Sequence, residues 1–183
     1  MAPQGSIVGH FGTYDVQITK LLLESVPHLI SYGSGGVLLL LGRGGELMRN
    51  ALIRKHPEMA DRVHATAPLD AADLSLHLSA CDVMLQPYID GVSSRRTSTI
   101  VALAHGIPVV TTSGRLTEPL WAASEAVALA PAADVSALVA ATKRLLPDAK
   151  ARSRMSAAAR MLYEKRFDLK HIITTLRGAG AYR

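Results

Sequence analysis

Strand-sized aliphatic runs alternate with helix-patterned stretches along this chain, and that alternation predicts a doubly wound, parallel α/β sheet with helices on both faces. Three observations carry the prediction. Residues 37–41, 83–85 and 107–110 are continuously apolar, as strands buried on both faces must be. The connections between elements are short and punctuated by glycine and proline. Hydrophobic residues make up 49% of the chain and aromatics only 4%, so the core must be built from Leu, Val, Ile and Ala.

Each element has its own warrant. Residues 6–11 (SIVGHF) read as a first strand, closed by Gly12. Residues 14–31 place Val16, Leu22, Leu23, Val26 and Ile30 at mostly helical spacing, which predicts an amphipathic helix broken near Pro27. The GSGG cluster at 33–36 is a loop, and VLLLL at 37–41 is the next buried strand. After the turn Gly42-Arg43-Gly44-Gly45, residues 46–56 form a helix with Leu47, Ala51 and Leu52 facing inward. Residues 63–67 are a short strand. Asp70 caps a following helix whose apolar contacts come from Leu74, Leu76 and Leu78.

Residues 81–112, CDVMLQPYIDGVSSRRTSTIVALAHGIPVVTT, hold a strand at 83–85, a punctuated loop and a polar, doubly basic helix start at 93–97. That helix ends at Gly106, before a strand at 107–110. A loop with one helical turn at 114–123 and a short strand at 126–129 come next. Asp134 caps a helix reaching Leu146, and two more helical stretches, 149–166 and 168–177, precede the tail GAGAYR.

A length of 183 residues suits one domain, placed at 1–178, with a tail at 179–183. No apolar run approaches the roughly 18 to 20 residues that a membrane span requires. The opening MAPQGSIVGH does not read as a signal peptide. Cys81 is the single cysteine, which excludes an internal disulfide; a buried, inert thiol in a reducing, cytoplasmic setting is the expectation. The net charge of +5 lies largely on helical C-terminal sequence such as Lys143, Arg144, Arg152 and Arg160. With so few aromatics to stack on bases, this is a solvated helix face rather than a nucleic-acid site. Attraction of the full-length protein to an anionic membrane surface, as a peripheral association, is the weaker reading.

Three segments bear on chemistry. Gly9-His10-Phe11-Gly12-Thr13 ends the first strand, where glycines let backbone approach a ligand; a tight turn accounts for them equally well. His10 reads more readily as a satisfied structural histidine than as a catalyst. Gly42-Arg43-Gly44-Gly45 lacks the Lys-Ser/Thr ending of a phosphate-binding P-loop, so nucleoside triphosphatase chemistry is unsupported. It is a turn, with a nucleotide beside it or without one. The third, Asp90-Gly91-Val92-Ser93-Ser94-Arg95-Arg96-Thr97-Ser98, is the most informative. Hydroxyls at a helix start cap backbone donors, the positive end of the helix attracts an anion, and Arg95 or Arg96 can grip a diphosphate in two-pronged fashion. The adjacent arginines cannot point the same way, so one serves a ligand or a carboxylate and the other solvent. No nucleophile-elbow pattern occurs, and the seven histidines show no metal-ligand spacing; no metal and no catalytic residue is assigned.

In IVGHFGTY, VLLLLGRG, DAADLSLHLSACDV, QPYIDGVSSRRTS and ALAHGIPVVTT, the chain resembles the C-terminal, donor-binding domain of retaining glycosyltransferases of group 1. These enzymes are built from two facing Rossmann-like domains, the GT-B architecture. The match covers nearly all of residues 6–177.

The resemblance implies a nucleoside-diphosphate sugar lying across the strand ends. Gly12 and Thr13 would face its phosphates or sugar, Arg43 or Gly44 would sit near the nucleotide, and Asp90 to Thr97 would hold the sugar and diphosphate. No cofactor beyond that substrate is implied. The family pattern also places a pair of glutamates before the Gly-Xaa-Pro-Val-Val strand. Counting back from Gly106, the second falls on Val101, while Asp90-Gly91 stands in for the first. Lys20 is the nearest candidate for the usual Arg/Lys pair.

Since the first strand begins within ten residues of the start, the N-terminal acceptor domain is expected to be absent. This chain alone is then expected to be inactive, and to act as the donor half of the full-length enzyme. A non-catalytic nucleotide-binding or interaction module, favoured by Val101, and half of a sugar-nucleotide epimerase are the competing readings.

Overall fold

The computed structural model describes residues 5–30, 36–132 and 134–179. Its strands are β1 (Ile7–Phe11), β2 (Val37–Leu41), β3 (Val63–Ala65), β4 (Val83–Gln86), β5 (Val109–Ser113) and β6 (Val127–Pro131). They form one six-stranded sheet in the order β3-β2-β1-β4-β5-β6, with every pairing parallel. From β1 the chain winds outward to β3; it then returns to β4, beside β1, and winds outward the other way. This is the Rossmann order, and the reversal falls between β1 and β4.

The helices are α1 (Val16–Ile30), α2 (Gly45–Lys55), α3 (Ala71–Ser79), α4 (Thr97–Ala104), α5 (Pro119–Ala123), α6 (Val135–Leu145), α7 (Ala149–Leu162) and α8 (Leu169–Ala179). Right-handed crossovers that run in opposite directions put their helices on opposite faces. Accordingly α1 packs with α2 and α6, whereas α4 packs with α7. On that second face Ser75 Oγ of α3 lies 2.9 Å from Nε2 of His105, just past α4. Among the described residues no helix is long and apolar enough to cross a membrane.

Double-sided cover explains the aliphatic runs. All four residues of β4 are buried, and Val109 and Val110 of β5 are buried beside them. Leu22 and Val26 of α1 and Leu138 of α6 close one face, while Leu103 of α4 closes the other. The single tryptophan, Trp121, is fully buried; its ring stacks on Phe167 at 5.8 Å, and its Nε1–H donates to Glu118 at 2.8 Å. Asp70 and Asp134 cap α3 and α6 as expected, accepting from the amides of Asp73 and Ala137 at 2.9 and 2.8 Å. Asp148 caps α7 likewise, through Ala151 at 2.8 Å.

Three expectations need correction. α1 runs unbroken through Pro27. Pro27 withholds one N–H from the ladder, and the burial of Val26, Leu29 and Ile30 against the sheet outweighs that loss and holds the last turn. Leu47 is exposed; the inward stripe of α2 is Met48 and Leu52, one turn apart, with Ala51 half-buried. Leu76 is also exposed, because it lies two residues from both Leu74 and Leu78 and therefore on the far side of α3. The helical stretch expected at 149–166 is found, as α7 followed by a wider π turn at Tyr163–Phe167. The loop placed at 33–36 falls outside the described residues except for Gly36, and so does the tail from 180 on.

Candidate functional site

Where the strand order reverses, the loops after β1 and β4 part in opposite directions and leave a crevice at the carboxyl ends of the strands. A cavity of about 470 Å³ occupies that position. His10, Phe11 and Gly12 of the β1 end and Gln86 and Tyr88 of the β4 end form its floor. Thr13 and Asp15 close one side, Gly42 and Arg43 another, and Arg95, Arg96, Thr97 and Ser98 form the rim.

Close backbone packing shapes the β1 and β2 side. Gly42 has φ +103°, and a Cβ there would stand 2.8 Å from the carbonyl oxygen of Gly12. The turns after β1 and β2 therefore run backbone against backbone, and the Gly12 amide donates to Leu41 O at 3.3 Å. The Tyr14 hydroxyl donates to the same carbonyl at 3.1 Å, and its ring meets His10 edge-on with centroids 5.1 Å apart.

The β4–α4 loop is held by a different device. Helix α4 starts at Thr97 with Arg96 at its N-cap, and no side chain caps it. The expectation that Ser93 and Ser94 begin and cap this helix is thereby corrected: both lie in the preceding turn. Ser93 is buried, and the Ser94 amide donates to both Glu118 carboxylate oxygens at 3.1 and 3.2 Å. Burial acts to raise the Glu118 pKa, but the N–H donors of Ser94 and Trp121 outweigh it and hold the carboxyl below its ordinary value. Gly91, at φ +88°, crosses Gly114 so closely that a Cβ would lie 2.9 Å from Gly114 Cα. The buried Val92 joins its amide to Thr112 O at 2.8 Å.

Arg96 and Arg95 have separated roles in the loop. Arg96 pairs with Asp90 and lies over the Tyr88 ring, 4.4 Å from its centroid. Tyr88 is locked in turn, its hydroxyl 3.0 Å from Ser98 Oγ and 2.8 Å from Thr99 Oγ1. Burial raises the Tyr88 pKa, so the hydroxyl stays protonated. Arg95 is exposed on the rim.

Of the residues singled out in sequence, Gly12, Thr13, Arg43, Arg95, Arg96 and Thr97 meet at the cavity. Gly44 stands one residue beyond it, against Tyr14. Asp90 reaches the rim through Arg96, while Gly91, Val92, Ser93 and Ser94 build the loop behind it. Val101 packs against the core, and Lys20 sits on the open side of α1, 3.9 Å from Glu24. Sequence reasoning missed Gln86 and Tyr88, whereas Ser98, the last residue of the segment singled out, does line the cavity. For the two missed residues a signal was available: they end and follow a fully buried strand, beside the chain reversal.

His10 is only half satisfied. Its Nδ1 lies 2.7 Å from Leu85 O, but Nε2 has no partner among the described residues. Burial lowers its pKa to about 4, against the smaller upward pulls of the Leu85 bond and of Asp15. The ring is neutral at pH 7.

Solved structures that superpose on this chain include several proteins of sugar transfer. A complex of Anabaena HepE with UDP and glucose superposes with TM-score 0.75 at 18% identity, over 98% of this chain and 49% of that one. Sucrose-phosphate synthase from Thermosynechococcus elongatus gives 0.76 at 23%, over 96% and 45%. The C-terminal domain of LpcC, a group 1 family glycosyl transferase of Francisella tularensis, gives 0.71 at 12%, over 91% of this chain and 88% of that domain. This chain thus spans about half the length of the first two, and identities this low show a shared fold. No curated protein sequence matches the chain. The family model for group 1 glycosyl transferases matches residues 4–148, from the first strand through α6, and on that match the chain belongs to this family.

Proposed function

We propose that this chain is the donor-binding half of a glycosyltransferase and takes a nucleoside-diphosphate sugar into the cavity between β1 and β4. One observation carries the reading: a crevice at the chain reversal with three arginines, Arg43, Arg95 and Arg96, around it. A diphosphate needs compensating charge. Arg95 is the rim cation with no ion-pair partner among the described residues, whereas Arg96 is already paired. The solved complexes of HepE with UDP-glucose and with UDP support the same ligand class. No metal is part of this reading.

Glycosyl transfer itself is assigned to the full-length enzyme, with the acceptor on a facing domain, working in the cytoplasm. Exposed apolar side chains at the carboxyl end of the sheet support a facing surface. Val16, Leu47, Ile89 and Leu116 are 86%, 76%, 55% and 38% exposed, and all four lie on helix starts or loops that follow strands. Large exposed apolar side chains at the same end of the sheet are the kind of surface a facing domain covers.

Calorimetry of the 183-residue chain with UDP, GDP and ADP and their glucose esters tests the reading. One nucleotide should bind, and Arg95→Ala should weaken it at least tenfold, given about 1.5–3 kcal/mol for a charged hydrogen bond. Its melting temperature should stay unchanged. Absence of binding by every nucleotide would overturn the proposal.

A further inference from the structure

Two buried acceptors at the cavity floor have nothing to accept from. Gln86 donates through Nε2 to Phe11 O at 3.0 Å; that carbonyl can only accept, so the amide orientation is fixed and Oε1 is the free atom. Oε1 has no hydrogen-bond partner among the described residues, and Gln86 is fully buried. The same reasoning fixes His10. Leu85 O, 2.7 Å from Nδ1, can only accept, so Nδ1 carries the proton, and in a neutral ring Nε2 is a bare lone pair. His10 is 2% exposed, and its Nε2 too is without a partner.

Buried polar atoms are nearly always satisfied, so two orphans of one kind lining one cavity are a site rather than an accident. Gly12 leaves room there: a Cβ on it would lie 4.0 Å from His10 Nε2 and 3.7 Å from Ser98 Oγ. Both residues sit on rigid sheet, β4 for Gln86 and β1 for His10. Cations at the rim and lone pairs at the floor select a ligand that is anionic at one end and rich in hydrogen-bond donors at the other.

We infer that His10 Nε2 and Gln86 Oε1 form a subsite for ring hydroxyls of the bound donor, each accepting a hydrogen bond from one hydroxyl. The inference rests on the donor-binding reading and deepens it. The hydroxyls belong to the ribose or to the transferred hexose, which share this chemistry. A phosphate at the floor is disfavoured, because its oxygens are acceptors facing acceptors.

The test observes His10 directly in the wild-type chain labelled with ¹⁵N-histidine. On addition of the nucleoside-diphosphate glucose that binds best, the Nε2 resonance should move upfield as it accepts a hydrogen bond, while Nδ1 keeps its proton. If the nucleoside diphosphate alone produces the same movement, the hydroxyl is the ribose's; if only the glucose ester does, it is the hexose's. Both results support the subsite. His10→Asn, which can keep a donor toward Leu85 O but removes the acceptor, should weaken binding about tenfold. Calorimetric binding that leaves the Nε2 resonance in place overturns the subsite while the donor reading stands. If no nucleotide binds, the donor reading falls. The subsite is then judged by glucose alone at high millimolar concentration, where a stationary Nε2 signal overturns it and a moving one supports it.

Discussion

Replacing Gly91 by alanine should damage this fold more than any comparable change in the loop. The residue sits at φ +88°, and the left-handed region costs an L side chain about 1–2 kcal/mol. A Cβ there would also fall inside contact distance of Thr117 Oγ1 and the Gly114 amide nitrogen, and 2.9 Å from Gly114 Cα. Two of the three obstacles are backbone, which cannot rotate away, so overpacking adds about 1–3 kcal/mol. The sum is about 2–5 kcal/mol, with its centre at about 3.5. For a chain of this size each kcal/mol lowers the melting temperature by about 2–4 °C, which predicts a drop of about 10 °C. Gly114→Ala isolates the steric part. Its Cβ would stand 2.7 and 2.8 Å from the carbonyl carbon and oxygen of Asp90, but its φ is not in the left-handed region. It should therefore be milder by about 1–2 kcal/mol, the backbone term alone. Scanning calorimetry of the three proteins decides. A Gly91→Ala melting temperature within about 2 °C of the parent refutes the crossing-loop argument, and equal losses in both variants refute the backbone term.

Acid should unfold the chain partly through His10. Its pKa falls from 6.5 to about 4 on folding, so between those values the unfolded chain binds a proton that the folded chain does not. Stability is unaffected by this group above pH 6.5 and declines as the pH drops toward 4, by up to about 3 kcal/mol at about 1.36 kcal/mol per pH unit. Urea midpoints at neutral and mildly acidic pH should diverge more in the wild type than in His10→Asn, and parallel shifts would contradict this. Cys81 should be inert. Burial, and secondarily the charge of Asp82, pushes its thiol up to about 12. Ellman's reagent should therefore label it only in denaturant, and stoichiometric labelling of native protein on mixing would refute the assignment.

The sheet was legible because strands covered on both faces read as continuous aliphatic runs, as VLLLL and VML do. Helix faces were harder to read. Leu47 and Leu76 are apolar yet point outward, and only the registers Met48–Leu52 and Leu74–Leu78 show which side faces in. In the site, glycine and arginine at strand ends were visible from local pattern. The anchor of the Ser93-Ser94 turn was not, because Glu118 lies 24 residues beyond Ser94 and meets it only through the β5 connection. Nor does any local signal tell a satisfied histidine from one with an orphaned nitrogen. That distinction belongs to the pairing of β1 with β4, which brings Leu85 O to Nδ1 of His10 and leaves the buried Nε2 without a partner among the described residues.

The Asp90–Arg96 pair gives the loop a resident anion, and this changes what binding at the rim means. A phosphate that engages Arg96 must displace or share a carboxylate already seated there, so the step is an exchange of one anion for another. Coulomb attraction then largely cancels, and what separates ligands is charge number and shape: a monoanion gains little over Asp90, whereas a diphosphate can also reach Arg95. If the donor-binding proposal holds, the Arg96 end of the loop would act as an ion-exchange site, with Asp90 as the anion to be displaced.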